Sequence, residues 1–233
     1  MTSQQLITMI TLSMLLIFTG CGSESNKLQV QPLPQMNIPD PSSIQIMDLS
    51  TALAALPLEE LTDEESADIL FMREEEKLAR DAYDFFYNLW GQRIFNNISN
   101  SEQTHMEALL LLINRYDLID PVADDIPGYF PNTDLQSLYD LLTASGSNSL
   151  IDALMAGAEI EEVDLIDLYI RYDATDNQDV RLVYDNLMKG SRNHLRSFVS
   201  NLEKQGVTYL PLHLTQEEYD EIINSPMENG RGS

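Results

Sequence analysis

Apolar residues recur along most of this chain at steps of three and four, the spacing that puts side chains on one face of an α-helix. The first such run opens at Thr62-Asp63-Glu64-Glu65, where a Thr followed three residues later by a Glu marks a capped helix start. It continues through Ile69, Met72, Ala79, Tyr83, Phe86 and Trp90 and stops at Gly91. A second run begins between Arg93 and Ser99 and reaches about Tyr116, with Leu109, Leu110, Leu112 and Ile113 on its buried side. Pro121, Pro127, Gly128 and Pro131 then mark a long connection, because Pro and Gly interrupt helices. A short helix follows around Leu135 to Leu142. After Ser145-Gly146-Ser147 the pattern predicts a third long helix from about Ser149 to Tyr172, and then a fourth from about Gln178 to Gln205, ended by Gly206. No stretch alternates with the period of a strand. The predicted fold class is therefore all-α: a four-helix bundle over residues 61–224, made of two helical hairpins with a long crossover plus short accessory helices.

The segment ahead of the bundle reads differently. Residues 6–18 are mostly apolar, but a run of about a dozen is shorter than the roughly 20 needed to cross a bilayer as a helix. It has the form of a signal-peptide core, so residues 1–20 are expected to be removed. Phe18-Thr19-Gly20-Cys21 follows directly and resembles a bacterial lipobox, with a small residue before the cysteine that becomes acylated. Cys21 is the single cysteine and has no intramolecular disulfide partner, which suits an anchoring role. Residues 1–5 carry no Lys or Arg, and Phe18 stands where Leu is commoner, two departures from the usual pattern. Ser, Gln, Asn and Pro dominate the chain up to about Ser50, so residues 21–60 are expected to form a lipidated flexible tether and residues 225–233 a disordered tail. The expected location is the cell envelope, on the periplasmic or extracellular face, and the outer membrane where the cell has one.

Thirteen Lys and Arg against 38 Asp and Glu give a formal charge of -25. Such a chain repels nucleic acid and anionic lipid surfaces, which excludes electrostatic binding to either. Cations are its natural small partners.

Several polar residues fall on the apolar seams. In the first long helix Ile69, Met72, Glu76, Ala79, Tyr83 and Phe86 share a face, placing Glu76 in the interior. In the second, Ile98, Glu102, His105, Leu109 and Leu112 do the same for two residues, and Glu102-x-x-His105 sets both on one side. In the third, Ile151, Leu154, Ala158, Glu162, Leu165 and Tyr169 bring Glu162 inward, with Tyr169 seven residues later as Tyr83 follows Glu76. In the fourth, Val180, Val183, Leu187, Gly190, His194 and Phe198 carry His194. A carboxylate in a dry interior costs several kcal/mol unless it is paired or binds metal. Carboxylates bridging two cations, with one neutral imidazole for each, favour iron, manganese or zinc over calcium or magnesium. Two iron ions are the expected cofactor, with manganese or zinc as alternatives. Plainer readings stand beside this one. Ser99-x-x-Glu102 is also a capping-box spacing, which would put Glu102 at a helix end. Glu74-Glu75-Glu76 is also a charge run, in which Glu75 lies on nearly as apolar a face as Glu76. Glu159, Glu161, Asp164 and Asp167 crowd around Glu162, His194 alone is an ordinary core histidine, and Tyr83 and Tyr169 are ordinary packing residues.

Glu76-Lys77-Leu78-Ala79-Arg80-Asp81-Ala82-Tyr83 is similar to the first ligand helix of rubrerythrins, and Glu102-x-x-His105 resembles their second. More closely, Phe71 to Arg80, Ser101-Glu102-Gln103-Thr104-His105-Met106, Glu161-Glu162-Val163-Asp164 and Gly190-Ser191-Arg192-Asn193-His194-Leu195 resemble the signatures of an uncharacterised bacterial family, domain of unknown function 2202, grouped with ferritin-like proteins. The resemblance implies a ferritin-like bundle with Glu76, Glu102, His105, Glu162 and His194 as metal ligands, and Tyr83 and Tyr169 close behind them. One departure stands out: where a complete set has a Glu three residues before the last His, this chain has Ser191, beside Gly190. Glu159 is the expected substitute, with Glu161 and Asp164 competing for the role. Small residues there would leave room for an exogenous ligand. No rubredoxin-type cysteine cluster is present, so redox cycling would need an external electron donor.

The expected function is that of a di-iron carboxylate protein acting as an oxidase or peroxidase on oxygen, peroxide or ferrous iron. The alternatives are metal capture without turnover, or a metal-free helical lipoprotein with a structural or partner-binding role. A homodimer is compatible with all three.

Overall fold

The computed structural model describes residues 46–228. The signal core, Cys21 and most of the tether lie outside the described residues. Seven helices and no strands make up the described part, which is therefore all-α: α1 Ile46–Ala55, α2 Asp63–Trp90, α3 Arg93–Arg115, α4 Thr133–Gly146, α5 Leu150–Ala174, α6 Gln178–Lys204 and α7 Gln216–Asn224.

Local sequence explains where the long helices begin and end. Thr62 and Glu65 cap each other's backbone at the start of α2, and Gly91 closes that helix in the left-handed conformation at φ 66°. Ser149 caps α5, its side chain accepting from Asp152 N–H. Only Gly91 and Gln92 separate α2 from α3, so α3 folds back along α2; residues 175–177 turn α5 into α6 in the same way. The two hairpins pack on each other through α2 against α5 and α3 against α6. Their common core runs through Ile69, Met72, Phe86, Phe95, Leu109, Leu154, Leu165, Leu187 and Phe198.

The crossover, residues 116–149, wraps the outer side of α2 and gives its charged residues partners. Asp120 pairs with Arg73 at 3.0 Å, and Asp125 pairs with Arg80. Asn132 N–H donates to Glu74 Oε2 at 2.9 Å. Lys77 is fully buried. Its Nζ meets Asp81 at 2.6 Å and donates to the carbonyl of Ile126 at 2.7 Å, 4.5 Å above the Phe130 ring. Asp81 in turn accepts from Gly128 N–H. The Glu-rich run of α2 is thus not a solvated face: Glu74 turns to the crossover, Glu75 is buried, and Glu76 points into the centre.

Two expectations about the chain outside the bundle need correcting. Residues 46–55, assigned to the tether, form α1, whose Leu49 and Leu53 are buried against α3 and α6. Four residues apart, they make one apolar stripe, and the Pro-rich composition that suggested a tether ends before it, at Pro41. At the other end, residues 225–228 are held rather than free: the Glu228 carboxylate pairs with Arg192 at 2.6 Å and Arg196 at 3.1 Å.

Lys77 is expected to be the main pin of the crossover. Breaking a buried ion pair on one side leaves an uncompensated charge and costs about 3–5 kcal/mol. Lys77→Met should therefore lower the unfolding free energy by about 3 kcal/mol in urea titration; a loss below about 1 kcal/mol would show the crossover to be held elsewhere.

Candidate metal centre

Each long helix places at least one titratable side chain at the same depth. Glu102 and His105 lie on α3, which starts at Arg93 with Gln92 as its cap residue, so Glu102 sits in the third turn and the capping-box reading fails. Glu102 is at the centre of the group. Its Oε2 is 2.7 Å from His105 Nδ1 and its Oε1 is 2.9 Å from His194 Nδ1. Glu76 Oε2 approaches His105 Nδ1 to 3.1 Å from α2, and Glu161 Oε2 approaches His194 Nδ1 to 3.4 Å from α5. The two imidazoles stack with centroids 5.4 Å apart. All five residues are buried.

Two overlapping sets of donor atoms result, Glu76–Glu102–His105 and Glu102–Glu161–His194, each with its atoms within 4.8 Å of one another. Glu102 belongs to both. Both histidines present Nδ1 to the carboxylates. His194 Nε2 lies 2.9 Å from Ser101 Oγ; with the ring proton on that nitrogen, Nδ1 keeps a lone pair facing inward, which is the tautomer a metal needs. Tyr83 Oη donates to Glu161 Oε1 at 2.5 Å. Glu76 Oε1 is buried with no hydrogen-bond partner. Carboxylates shared between two imidazoles suit a pair of transition-metal ions.

The electrostatics fit a site that holds protons when it holds nothing else. Burial pushes Glu76 and Glu161 each up to about 7, against the pull of a neighbouring imidazole. Burial also works against ionising Glu102, but the His194 and His105 imidazoles beside it overcome this and hold it far below the usual carboxylate range. Burial likewise opposes charging His105, and the Glu76 and Glu102 carboxylates reverse this, raising it well above the ordinary imidazole value.

Of the six ligand positions expected from sequence, the structure brings Glu76, Glu102, His105 and His194 together and leaves out Glu162 and Glu159. Glu162 faces the segment after α6, where it accepts from Tyr209 Oη at 2.6 Å and from the N–H groups of Leu212, His213 and Leu214 at 2.7–3.1 Å. Glu159 pairs with His213 Nε2 at 3.2 Å. The interior position belongs to Glu161, one residue earlier. Helix α5 is covered on nearly every side, by α2, α4, α6 and the chain around Tyr209, so burial does not single out one face. A more regular seam was present in the sequence: Leu154, Ala158, Glu161, Leu165 and Leu168 follow steps of four and three, and all are buried.

Tyr169 is not equivalent to Tyr83; its Oη takes a 3.3 Å contact from Arg192. Nor do Gly190 and Ser191 leave an opening. The His105 ring fills the place of a Gly190 side chain, since a Cβ there would lie 2.3 Å from Nε2, and Ser191 Oγ turns to Asp164 Oδ2 at 2.5 Å.

Fold and site together define an all-α protein with a buried carboxylate–imidazole centre built from all four long helices. The chain matches the family described as an uncharacterised protein domain, DUF2202, over residues 65–226, and it belongs to that family. It is similar to the uncharacterised protein MJ0754 of Methanocaldococcus jannaschii, at 47% identity over 178 residues, covering 76% of this chain and 96% of the relative. A crystal structure of the hypothetical protein MJ0754 superposes with a TM-score of 0.73 at 48% identity, covering 75% of this chain and 99% of that one. This relative comes from an archaeon.

The perturbed acids set a pH dependence. Glu76 and Glu161 titrate at about 7 when folded, against the ordinary 4.5. Between those values the folded state keeps protons that the unfolded state has lost, so stability falls as pH rises through that window. The raised His105 extends the fall above 6.5, while the depressed Glu102 acts in the opposite sense, only below 4.5. Metal-free protein should therefore melt at least about 5 °C lower at pH 8 than at pH 5.5. Glu76→Gln, which has no proton to lose, should make that profile shallower; an unchanged slope would remove Glu76 from it and leave Glu161 and His105.

Proposed function

We propose that this chain is a ferritin-like four-helix-bundle protein that binds two metal ions, iron first, between Glu76, Glu102, His105, Glu161 and His194. The observation that carries this reading is the position of Glu102, with one oxygen facing each of two imidazole Nδ1 atoms at 2.7 and 2.9 Å. A structural ion pair needs only one partner for a carboxylate. A carboxylate set between two imidazoles, flanked by Glu76 and Glu161, would be available to each of two cations held there. Iron held there supplies one-electron steps between ferrous and ferric states, the chemistry required to reduce oxygen or peroxide or to oxidise ferrous iron.

The chain's own residues prepare that site. Ser101 holds the outer nitrogen of His194, Tyr83 fixes Glu161 by a hydrogen bond, and Gly190 admits the His105 ring between α3 and α6. Held by neighbours, the ligands are already near one another and little ordering remains to be done on binding. Electrons would come from an external donor, because the single cysteine leaves no cluster of thiolates for a built-in one. The N-terminal sequence supports a lipoprotein held at the cell envelope through Cys21. Mass spectrometry of the membrane fraction should find a diacylglyceryl Cys21 as the first residue, and a mature chain starting elsewhere would remove the anchor.

Metal binding is tested by elemental analysis of protein purified without chelator, together with melting. Two ions per chain are expected, and saturating metal should raise the melting temperature by roughly 5–10 °C. Glu102→Ala should abolish both effects. Glu162→Gln should keep both ions while lowering stability by about 2 kcal/mol, since it weakens a buried carboxylate's hold on several donors. If ferrous iron, manganese and zinc all leave the melting temperature of the wild type unchanged, the centre is a structural polar network.

A further inference from the structure

We infer that Asp164 supplies the sixth ligand of the two-ion centre, in place of the carboxylate that α6 lacks. This rests on the two-metal reading above and adds a residue to it. Helix α3 brings a carboxylate and an imidazole three residues apart, Glu102 and His105; at the matching position of α6, three residues before His194, stands Ser191. Ser191 is buried, and its Oγ lies 2.5 Å from Asp164 Oδ2 and 3.0 Å from the Leu187 carbonyl. The hydroxyl on α6 therefore holds a carboxylate that α5 extends toward that helix.

Asp164 follows Glu161 by three residues, so the two share a helix face. It is buried, and its Oδ1 has no hydrogen-bond partner. An orphaned oxygen on a buried carboxylate costs the full desolvation of that atom unless something binds it. Burial, then the Glu76 and Glu161 carboxylates, raise its carboxyl well above the usual range, as expected of an acid one turn from Glu161 on the same face. As Tyr83 fixes one oxygen of Glu161, Ser191 fixes one oxygen of Asp164, and the other has no hydrogen-bond partner.

Charge balance points the same way. Two divalent ions bring four positive charges, and Glu76, Glu102 and Glu161 return three. The imidazoles bind as neutral groups, so a fourth carboxylate makes the buried centre neutral, which a low-dielectric interior favours. The two competing acids named from the sequence on α5 are engaged. Glu159 faces His213, and Glu162 is saturated by the chain around Tyr209. Glu75 is buried with neither oxygen hydrogen-bonded, but it lacks the tie to α6 that Ser191 gives Asp164.

The test is titration of the full-length protein with Co(II), read by calorimetry and by visible absorption. Wild type should bind two ions. Asp164→Asn should weaken one of them at least about tenfold and alter its visible bands, because a direct ligand changes the field at the metal. Ser191→Ala keeps the carboxylate but frees it, and should weaken the same ion by a smaller factor; it also decides the matter should the Asp164 variant not fold. Unchanged affinity for both ions in either variant, or weakened binding with unaltered bands, overturns the role of Asp164 while leaving the centre standing. A wild type that binds no Co(II) would instead refute the centre itself.

Discussion

Carboxylates in the dry interior of a helical protein must be neutralised, and the rest of this structure depends on how that demand is met around Glu102. An unpaired ionised carboxylate there would cost several kcal/mol, a large part of the stability of any domain. Glu102 meets the demand with two imidazoles at once, one from its own helix and one from α6. Those imidazoles then face Glu76 and Glu161, so the arrangement requires all four long helices at one depth. Without another cation, protons must make up the balance, which is why Glu76 and Glu161 are pushed up to about 7.

The acidic residues of the chain divide by how the protein treats them. Glu74, Asp81, Glu162 and Asp179 are saturated by backbone N–H groups, cationic side chains or phenols, and they hold the crossover, the chain around Tyr209 and the end of α3 in place. Glu75, Glu76, Asp164 and Asp167 each keep a buried oxygen with no hydrogen-bond partner. Structural carboxylates are generally satisfied within the fold; those built to receive a ligand are left incomplete. The two stacked imidazoles, rather than the overall charge of -25, separate the centre from the acidic surroundings it sits in.

The two hairpins are similar but not equivalent. Glu76 and Glu161 occupy corresponding places, as do His105 and His194, yet only Glu161 has a tyrosine holding it, and Ser191 stands where symmetry asks for a carboxylate. Gly190 explains part of the asymmetry, because the His105 ring occupies the volume a side chain would need there. The family match begins at residue 65 and includes every residue of the centre, so fold and site belong to one unit, and α1 packs against it from outside the matched range.

Steps of three and four were enough to read from the sequence the all-α class, the long helices and the inward positions of Glu76, Glu102, His105 and His194. Those helices have one strongly apolar face, and a polar residue on such a face has nowhere to go but the interior. The same reasoning failed on α5, where acids stand at 159, 161, 162, 164 and 167 and nearly every side is covered. One residue is a rotation of about 100° on a helix, and only the packing of α2, α6 and the chain around Tyr209 decided that Glu161 turns inward while Glu162 anchors that chain. Helix α1 and the fastening of Glu228 were likewise settled by tertiary contacts, since a short helix and an isolated carboxylate gain their stability from what they dock against and carry little local signal. The sequence by itself determined which helices form each hairpin and what kind of chemistry their inner faces carry; the tertiary structure decided which acids take part, because that choice rests on contacts between residues far apart in the chain.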